Sequence, residues 1–146
     1  MKTVDIYTDG ACSKNPGPGG WAAVLLFQGM KKEISGYYKD TTNNRMELFS
    51  VISGLKELNQ GCNVNIYTDS QYVADAFNKG WIFFWQNNNW KTKSNDEVKN
   101  IDLWKALLLE LKKHNYKFIK VKGHSDNEFN NLCDKLATEQ IKNGSI

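Results

Sequence analysis

The chain contains one four-residue sequence twice, each time at the end of a short apolar run. Ile-Tyr-Thr-Asp occurs in VDIYTDGA, residues 4–11, and again in VNIYTDSQ, residues 64–71. In both stretches apolar and polar side chains alternate, which predicts two β-strands that end at Asp9 and Asp69. In open α/β sheets, functional sites form at the carboxyl ends of the strands. If the two strands are parallel neighbours, their aspartates lie roughly 5 Å apart.

Two carboxylates at this separation raise each other's pKa unless a cation lies between them. The repeated sequence therefore predicts two ligands of one metal site, and a hard divalent cation needs further oxygen donors. Glu47, in the first turn of a helix, and Asp134, early in the last helix, are flanked by apolar residues that direct them towards the core. Each acid alone has an ordinary explanation as a helix-dipole or turn residue. Four acids at the ends of four elements that could converge favour a metal site.

The rest of the pattern predicts a single α/β domain over residues 1–146 with a mixed sheet. Strands are expected at residues 3–8, 21–28, 31–38, 64–68 and 116–123, and helices from Thr42 to Gly61, from Ser70 onwards, over about 100–114 and around 132–141. The prolines and glycines of residues 15–20 predict a loop, and residues 81–95, rich in Trp and Asn, are expected to be irregular. The expected order is β-β-β-α-β-α-α-β-α.

Composition excludes several classes of protein. A length of 146 residues allows a real core, and 40% hydrophobic with 24% charged residues is ordinary for a globular protein. The longest apolar runs are too short to span a bilayer and the start carries no apolar signal core, so we expect a cytoplasmic protein with no membrane association. Three cysteines without a CxxC pair argue against a disulfide framework or a structural zinc site.

Charge is unevenly distributed along the chain. Residues 79–122 carry ten lysines and four acidic residues, a net +6, whereas the remainder has nine basic and twelve acidic residues, a net −3. A basic segment beside an acidic remainder suggests a polyanionic partner handled by two surfaces, although a merely soluble Lys-rich helix is the alternative. His114, at a helix end beside two lysines, is expected to be structural, since cations suit helix C-termini.

Five segments resemble, in order and spacing, the signature segments of bacterial type 1 ribonuclease H: YTDGA with NPGPGGWA, TTNNRMEL, YTDSQYV, NIDLW and VKGHSDNEFNNLCDKLA. The resemblance covers nearly the whole chain, and TTNNRMEL together with TDSQYV is far more specific than a lone DxD pattern. It implies the ribonuclease H-like fold, a five-stranded mixed sheet with helices on both faces. It also implies an endoribonuclease that cuts the RNA strand of an RNA–DNA hybrid.

The family's four metal-binding carboxylates match Asp9, Glu47, Asp69 and Asp134. The resemblance implies two Mg²⁺ ions, for which Mn²⁺ would substitute, and products with 5′-phosphate and 3′-hydroxyl ends. Two metals roughly 4 Å apart can clamp an in-line displacement at phosphorus. Asp9, from the expected centre of the sheet, is the expected bridging ligand. The family's loop histidine matches His124, which implies an auxiliary role in proton transfer or product departure, although a lone loop histidine is usually only solvated.

The resemblance also implies which residues contact the hybrid. Amides both donate and accept hydrogen bonds, which suits the 2′-hydroxyls that distinguish RNA. Four amide residues match family positions that contact the RNA strand: Asn15, Asn43, Asn44 and Gln71. The residues expected to contact phosphates or the DNA strand are Thr42, Arg45, Trp81, Trp85, Trp90 and Lys91. Thr42 and Asn43 have helix capping as an alternative role.

Residues 77–100 resemble the basic protrusion that grips the DNA strand, but the chain departs from the pattern there. Where well-known bacterial members have a basic cluster, this chain reads WQNNNWK, and Phe83 and Phe84 add apolar bulk. Fewer phosphate neutralisations predict weaker binding and a shallower salt dependence.

Two other interpretations stay open at this point. A transposase-type or exonuclease domain of the same broad fold shares the strand-end acids but should lack the TTNNRMEL amides and the tryptophan-bearing protrusion. A non-catalytic hybrid-binding module would favour fewer negative charges near phosphate than four acids provide. No obligate protein partner is expected, and the default expectation is a monomer.

Overall fold

The computed structural model describes residues 1–123 and 127–144. Within them lie five strands and five helices, in the order β1 (Lys2–Cys12), β2 (Gly17–Phe27), β3 (Met30–Thr41), α1 (Asn43–Lys56), β4 (Cys62–Thr68), α2 (Gln71–Asn78), α3 (Trp81–Asn87), α4 (Ile101–Leu111), β5 (Asn115–Lys120) and α5 (Glu128–Gly144). The strands form one mixed sheet in the order β3-β2-β1-β4-β5. β1 pairs antiparallel with β2 and parallel with β4, so the predicted five-stranded mixed sheet is confirmed.

Alternate residues of the sheet face two separate apolar clusters. On one face, Ile6 packs in a large core with Leu48 of α1 and Trp104 of α4. On the other face, Val24 of β2 packs in a smaller cluster with Cys133 of α5. Helices therefore cover both faces, and the central strand β1 is buried between them, which confirms the expected layers.

The glycine-rich stretch at residues 17–20 is part of a strand, so the expectation of a loop over 15–20 was wrong for those four residues. Gly19 pairs with Tyr38 of β3, after a register irregularity at Gly17. A Cβ at Gly20 would overlap the carbonyl oxygen of Ala137 in α5. Gly20 therefore allows the close packing of α5 on β2, although a glycine in this stretch looks like a loop signal in the sequence.

A short helix, α3, occupies part of the segment that was expected to be irregular. It begins after Gly80, whose φ of +75° is accessible to glycine without strain. Ile82 is fully buried, and Trp85, three residues later on the same face, packs against the core. Two turns are too few to give a readable helical period, which is why the pattern did not predict this element.

His114 has a structural role, as expected, but as a neutral side chain. Its Nδ1 accepts a hydrogen bond from the backbone N–H of Cys62 at 3.1 Å, so that nitrogen carries no proton. Burial, and then the nearby charge of Lys113, lower the pKa of His114. A neutral imidazole thus links the end of α4 to the start of β4, and the expected role as a cation at a helix C-terminus was wrong.

None of the helices in the described parts of the chain has the length and apolar character needed to cross a bilayer.

Candidate active site

The two copies of Ile-Tyr-Thr-Asp lie side by side in the sheet. β1 and β4 are parallel neighbours in which Ile6 pairs with Ile66 and Tyr7 pairs with Tyr67. The Thr8 hydroxyl donates to the carbonyl oxygen of Tyr67 at 3.0 Å, which ties the two strand ends together. The predicted pairing is confirmed, and it brings the aspartates that end the two copies, Asp9 and Asp69, to the same edge of the sheet.

Glu47 reaches this edge because α1 packs unusually close to β1. A Cβ at Gly10 would overlap backbone atoms of Met46 and Glu47, so only glycine allows this approach. The backbone N–H of Gly10 donates to Asp9 Oδ1 at 2.9 Å and also to Glu47 Oε1. One N–H group thus orients two carboxylates towards each other.

Asp9, Glu47 and Asp69 form one compact group of acids. One oxygen from each lies within 4.8 Å of the others, and no second group of three or more metal-ligating side chains of this kind occurs in residues 1–123 and 127–144. Asp9 and Glu47 are only 5% and 4% exposed. Three carboxylate oxygens at this separation suit a hard divalent cation, which would neutralise their charges.

The pKa values reflect this crowding. Burial, followed by the charge of Asp69, raises the pKa of Asp9 to about 7, although a hydrogen bond with Glu47 lowers it in part. Burial, followed by the charge of Asp9, raises the pKa of Glu47 well above its ordinary value. In the absence of a cation, the group therefore retains protons that isolated carboxylates release at lower pH.

Asp134 lies on the wall of the same cleft but outside the compact group. It is carried by α5, is partly exposed, and its charge is one of the causes that raise the pKa of Asp9. Its neighbour Cys133 is fully buried, and burial raises the pKa of that thiol, which makes it a packing residue. The cleft is lined by Asp9, Gly10, Asn43, Asn44, Glu47, Asp69, Ser70, Gln71, Tyr72 and Asp134. His124 lies outside the described residues.

The predicted RNA-contacting amides lie in or beside this cleft. Asn43 and Asn44 line it from the first turn of α1, and Gln71 lines it from the first turn of α2. The Asn15 side chain accepts a hydrogen bond from the backbone N–H of Asn43 at 3.0 Å, so it holds the preceding loop against α1. The Nε2 of Gln71 donates to Asp75 at 2.6 Å, which fixes the direction of that amide.

Thr42 and Arg45 have well-defined partners within the protein. The Thr42 hydroxyl accepts from the backbone N–H of Arg45 at 3.2 Å, so Thr42 is the N-cap of α1. The Arg45 guanidinium donates to both carboxylate oxygens of Asp102, at 2.8 and 3.0 Å. This pair raises the pKa of Arg45 and lowers the pKa of Asp102. The guanidinium that was expected to contact phosphate is therefore already paired with Asp102.

The three tryptophans expected on the protrusion differ in their surroundings. Trp85 contacts Trp104 edge to face, with ring centroids 5.5 Å apart, and packs against the core while partly buried. Trp90 also packs against the core, with Lys105 Nζ 5.7 Å from its ring centroid. Trp81 is 42% exposed, and Lys79 Nζ lies 5.6 Å from its ring centroid. Trp81 is therefore the best placed of the three to meet a ligand.

Other residues on the protrusion are exposed as well. Phe83 and Phe84 are 48% and 39% exposed, and Lys91 is exposed at the isolated bridge with Glu97. An exposed apolar group next to lysines is a surface typical of contact with another molecule.

Sequence reasoning missed three residues that line the cleft, Gly10, Ser70 and Tyr72. Gly10 follows Asp9 directly, whereas Ser70 and Tyr72 lie one and three residues after Asp69, so proximity to a strand-end acid was the only available signal. Ser70 has a local explanation because its side chain caps α2 by accepting from the backbone N–H of Val73 at 3.2 Å. Tyr72 has an apolar ring that packs against the core, so it resembles an ordinary core residue in the sequence.

Known proteins match both the sequence and the fold. The family model described as RNase H matches residues 1–142. A protein called Ribonuclease H from Caldanaerobacter subterraneus subsp. tengcongensis is 65% identical over 139 residues, which cover 95% of this chain and 91% of that protein. The crystal structure of LC9-RNase H1, a type 1 RNase H with the type 2 active-site motif, superposes with a TM-score of 0.87 at 27% identity, covering 98% of this chain and 74% of that one.

A further solved structure is LC11-RNase H1 in complex with RNA/DNA hybrid, with a TM-score of 0.70 at 22% identity, covering 98% of this chain and 99% of that one; at this identity the likeness concerns the fold alone. The match that spans residues 1–142 and the relative at 65% identity establish that this chain belongs to the ribonuclease H family.

Proposed function

We propose that this chain is a metal-dependent endoribonuclease that hydrolyses the RNA strand of RNA–DNA hybrids and leaves 5′-phosphate and 3′-hydroxyl ends. The observation that carries the proposal is the compact group of Asp9, Glu47 and Asp69 at the carboxyl edge of the sheet. Membership of the ribonuclease H family supplies the reaction class, and the buried acids supply a place where a divalent cation would be held strongly.

Asp9, Glu47, Asp69 and Asp134 are the proposed ligands of two Mg²⁺ ions, for which Mn²⁺ substitutes. All four donors are carboxylates, the ligand type that these hard cations prefer. When bound, such a pair of ions lowers the pKa of an attacking water and stabilises the departing 3′ oxygen. Asp9 is the proposed shared ligand because it lies on the central strand, bonded to the same N–H as Glu47 and electrostatically coupled to Asp69.

The amides around the cleft are proposed to recognise the RNA strand. Asn43, Asn44 and Gln71 present groups that both donate and accept, which suits a 2′-hydroxyl. Asn15 contributes by holding the turn at Asn43 in place. His124 is proposed to assist proton transfer or product departure, as its match in the family does.

The DNA strand is proposed to contact the protrusion and the N-terminus of α1. Trp81 offers an exposed ring for packing on deoxyribose, and Lys91 offers an exposed charge for a phosphate. Thr42, Arg45, Trp85 and Trp90 remain proposed contributors, and their internal partners indicate that they hold this surface in shape. Residues 1–146 are proposed to act as one catalytic domain, as a cytoplasmic monomer without an obligate protein partner.

Three duplexes of one sequence test the function: an RNA–DNA hybrid, an all-RNA duplex and an all-DNA duplex, each incubated with Mg²⁺ or with EDTA. We expect cleavage of the hybrid alone, only with the metal, and only in the RNA strand. Cleavage of the all-DNA duplex would instead support an exonuclease-type or transposase-type activity. Binding of the hybrid without cleavage would support a non-catalytic module.

A pair of matched variants tests the site. Asp69→Asn removes one charge from the acid group and keeps its shape, so we expect loss of hybrid cleavage by at least about a hundredfold. Asp5→Asn makes the same change on β1, where Asp5 accepts a hydrogen bond from Asn65 at 3.0 Å, away from the cleft. Equal activity of the two variants would contradict the proposed site.

A further inference from the structure

Asp75 is a nearly buried acid in the last turn of α2. It is 8% exposed and lies three residues before the end of the helix at Asn78. A negative charge near the carboxyl end of a helix is unfavourable, and a buried carboxylate costs free energy unless polar groups contact it. The stability of α2 therefore does not explain an acid at this position, and its contacts point to another role.

Two side chains contact the Asp75 carboxylate. Nε2 of Gln71, one turn earlier in α2, donates to Oδ1 at 2.6 Å, whereas Nζ of Lys79 lies 3.6 Å from Oδ2. The Lys79 side chain is 59% exposed and its ammonium also lies 5.6 Å from the ring centroid of Trp81, so its contact with the carboxylate is weak. The bond from Gln71 is the shorter and better defined of the two.

This bond determines which way the Gln71 amide faces. A carboxylate only accepts hydrogen bonds, so the NH₂ group of Gln71 must face Asp75, and the amide oxygen Oε1 must lie on the other side. Gln71 is exposed and lines the cleft, and within residues 1–123 and 127–144 no hydrogen bond to its Oε1 is found. The amide therefore offers the cleft a free acceptor.

An acceptor in this place complements a hydrogen-bond donor of the ligand. In the minor groove of a hybrid, the donors are the 2′-hydroxyl of the RNA and the exocyclic amine of guanine, whereas the other base atoms at that edge only accept. Phosphate oxygens also only accept, so they are excluded as partners of Oε1. The group that Gln71 can recognise is thus a sugar or base group of the minor groove.

We propose that Asp75 is a positioning residue that holds the Gln71 amide with its oxygen towards the cleft, so that Gln71 recognises a hydrogen-bond donor in the minor groove of the hybrid. Asp75 does not itself line the cleft, so it acts through Gln71. An amide that is fixed before binding loses less side-chain freedom when the ligand arrives. This inference rests on the proposed function, because the donor belongs to the hybrid.

Asp75→Asn tests the orienting role with almost no change of shape. Lys79 can only donate, so it favours the oxygen of the new asparagine, and the NH₂ group of Asn then faces Gln71. The Gln71 amide is expected to turn round, to accept from that NH₂ group and to present its own NH₂ group to the cleft.

The matched control is Glu110→Gln. Glu110 is another nearly buried helical acid, with a side-chain exposure of 11% compared with 12% for Asp75, and it pairs with Lys113 at 3.1 Å. It lies near the end of α4 and does not line the cleft. Both substitutions neutralise a nearly buried carboxylate, so a difference between them reports on Gln71.

The first measurement is NMR of the free protein, without nucleic acid. The side-chain NH₂ signals of Gln71 are assigned by their loss in Gln71→Met. A short bond to a charged acceptor should shift one of these two proton signals downfield in the wild type and in Glu110→Gln, and the shift should disappear in Asp75→Asn. The same Gln71 signals in all three proteins would overturn the proposal, whether or not the chain cleaves a hybrid.

The second measurement is cleavage of an RNA–DNA hybrid. We expect KM to rise about three- to tenfold in Asp75→Asn and in Gln71→Met, the effect of one lost hydrogen bond, with a smaller change in kcat. The double variant should show no additional rise, because both changes remove the same contact. Additive effects, an unchanged KM in Asp75→Asn, or a KM that rises only in parallel with a fall in Tm would overturn the proposal.

Modified hybrids identify the donor. One series carries a single 2′-fluoro nucleotide, which cannot donate, at successive positions of the RNA strand, and the other replaces single guanines by inosine, which lacks the exocyclic amine. At one position of one series we expect the wild type to lose affinity about three- to tenfold and Gln71→Met to be insensitive. Equal sensitivity of both proteins at every position would overturn the inference. A wild type that does not cleave the unmodified hybrid would instead refute the proposed function.

Discussion

Tyr7 and Tyr67 stack with ring centroids 4.3 Å apart and planes 7° apart, on adjacent parallel strands. Each is followed by threonine and aspartate, so the stack fixes the register that places Asp9 beside Asp69. Aromatic pairs across neighbouring strands stabilise pairing by roughly 0.2–1 kcal/mol, and a slip of one residue would reverse the direction of every side chain. The repeated sequence thus supplies both the ligands and the contact that aligns them.

Asp9→Asn should stabilise the protein in the absence of metal. The folded-state pKa of Asp9 is raised from 3.8 to about 7, so the folded protein retains a proton that the unfolded chain releases. The free energy of unfolding of the wild type therefore falls as pH rises from about 4 through 7. The variant does not show this fall, because asparagine at position 9 does not titrate. We expect a gain of about 1–3 kcal/mol in the free energy of unfolding at pH 8 in EDTA.

The measurement is urea unfolding in EDTA at pH 5 and pH 8, with Asp5→Asn as the control. The difference between Asp9→Asn and the wild type should be larger at pH 8. A difference of the same size at both pH values would contradict the proposed proton retention.

Activity should rise from acid to alkaline pH, with a midpoint that depends on metal concentration. Asp9 and Glu47 must lose protons before they bind a cation, and both have raised pKa values. Since metal and protons compete for the same oxygens, raising the Mg²⁺ concentration should move the midpoint to lower pH. The measurement is kcat/KM on an RNA–DNA hybrid from pH 5.5 to 9 at two Mg²⁺ concentrations. A flat profile, or a midpoint that stays at the same pH at both Mg²⁺ concentrations, would contradict this prediction.

The protrusion should give this chain a shallow salt dependence and a higher KM than a relative with a Lys- and Arg-rich protrusion. Its exposed tip carries Gln86 and Asn87 in place of cations. Asn87→Lys should steepen the slope of log Kobs against log salt by about 0.7–0.9, the value for one added phosphate contact. Asn87→Gln, which adds length without charge, is the control and should leave the slope unchanged. Equal slopes for all three proteins would refute this role of the protrusion.

Protonation of His114 should lower the free energy of unfolding in mild acid. Its folded-state pKa is lowered, so its contribution is fully present above its ordinary pKa of 6.5 and is lost as pH falls through the folded-state value. Protonation of Nδ1 would also remove the acceptor for the Cys62 N–H. His114→Asn places Oδ1 near that acceptor position, so its unfolding free energy should change less between pH 6.5 and pH 5. His124→Asn, at the chain's other histidine, should keep the wild-type dependence.

Much of the fold could be predicted because it depends on short-range patterns. Alternation in β1 and β4, and the glycine and threonine residues that end or begin helices, are visible within ten residues. The core-facing position of Glu47 also followed from its apolar neighbours. Helix α3 was missed because Gly80 and Ile82 define it through tertiary packing, which has no period in seven residues.

The parts of the site that could not be predicted depend on contacts distant in sequence. Arg45 and Asp102 are 57 residues apart, and no local pattern pairs them. Asp134 was expected with the other acids, yet its place on the cleft wall depends on how α5 packs on the sheet. Tyr72 shows the same limit, since its hydrogen-bond partners Asn100, at the end of the protrusion, and Trp104, in α4, are distant in sequence.

The contact between Gly20 and the carbonyl oxygen of Ala137 ties the spacing of the acids to the packing of one helix. Asp9 lies in β1, Glu47 lies in α1 and Asp69 directly follows β4. The fourth acid, Asp134, belongs to α5 and lies three residues before Ala137. A methyl group at position 20 would lift this helix from the sheet and widen the gap to Asp134 without altering any ligand. The distance from Asp134 to the other three acids thus depends on a glycine of β2 that does not itself line the cleft.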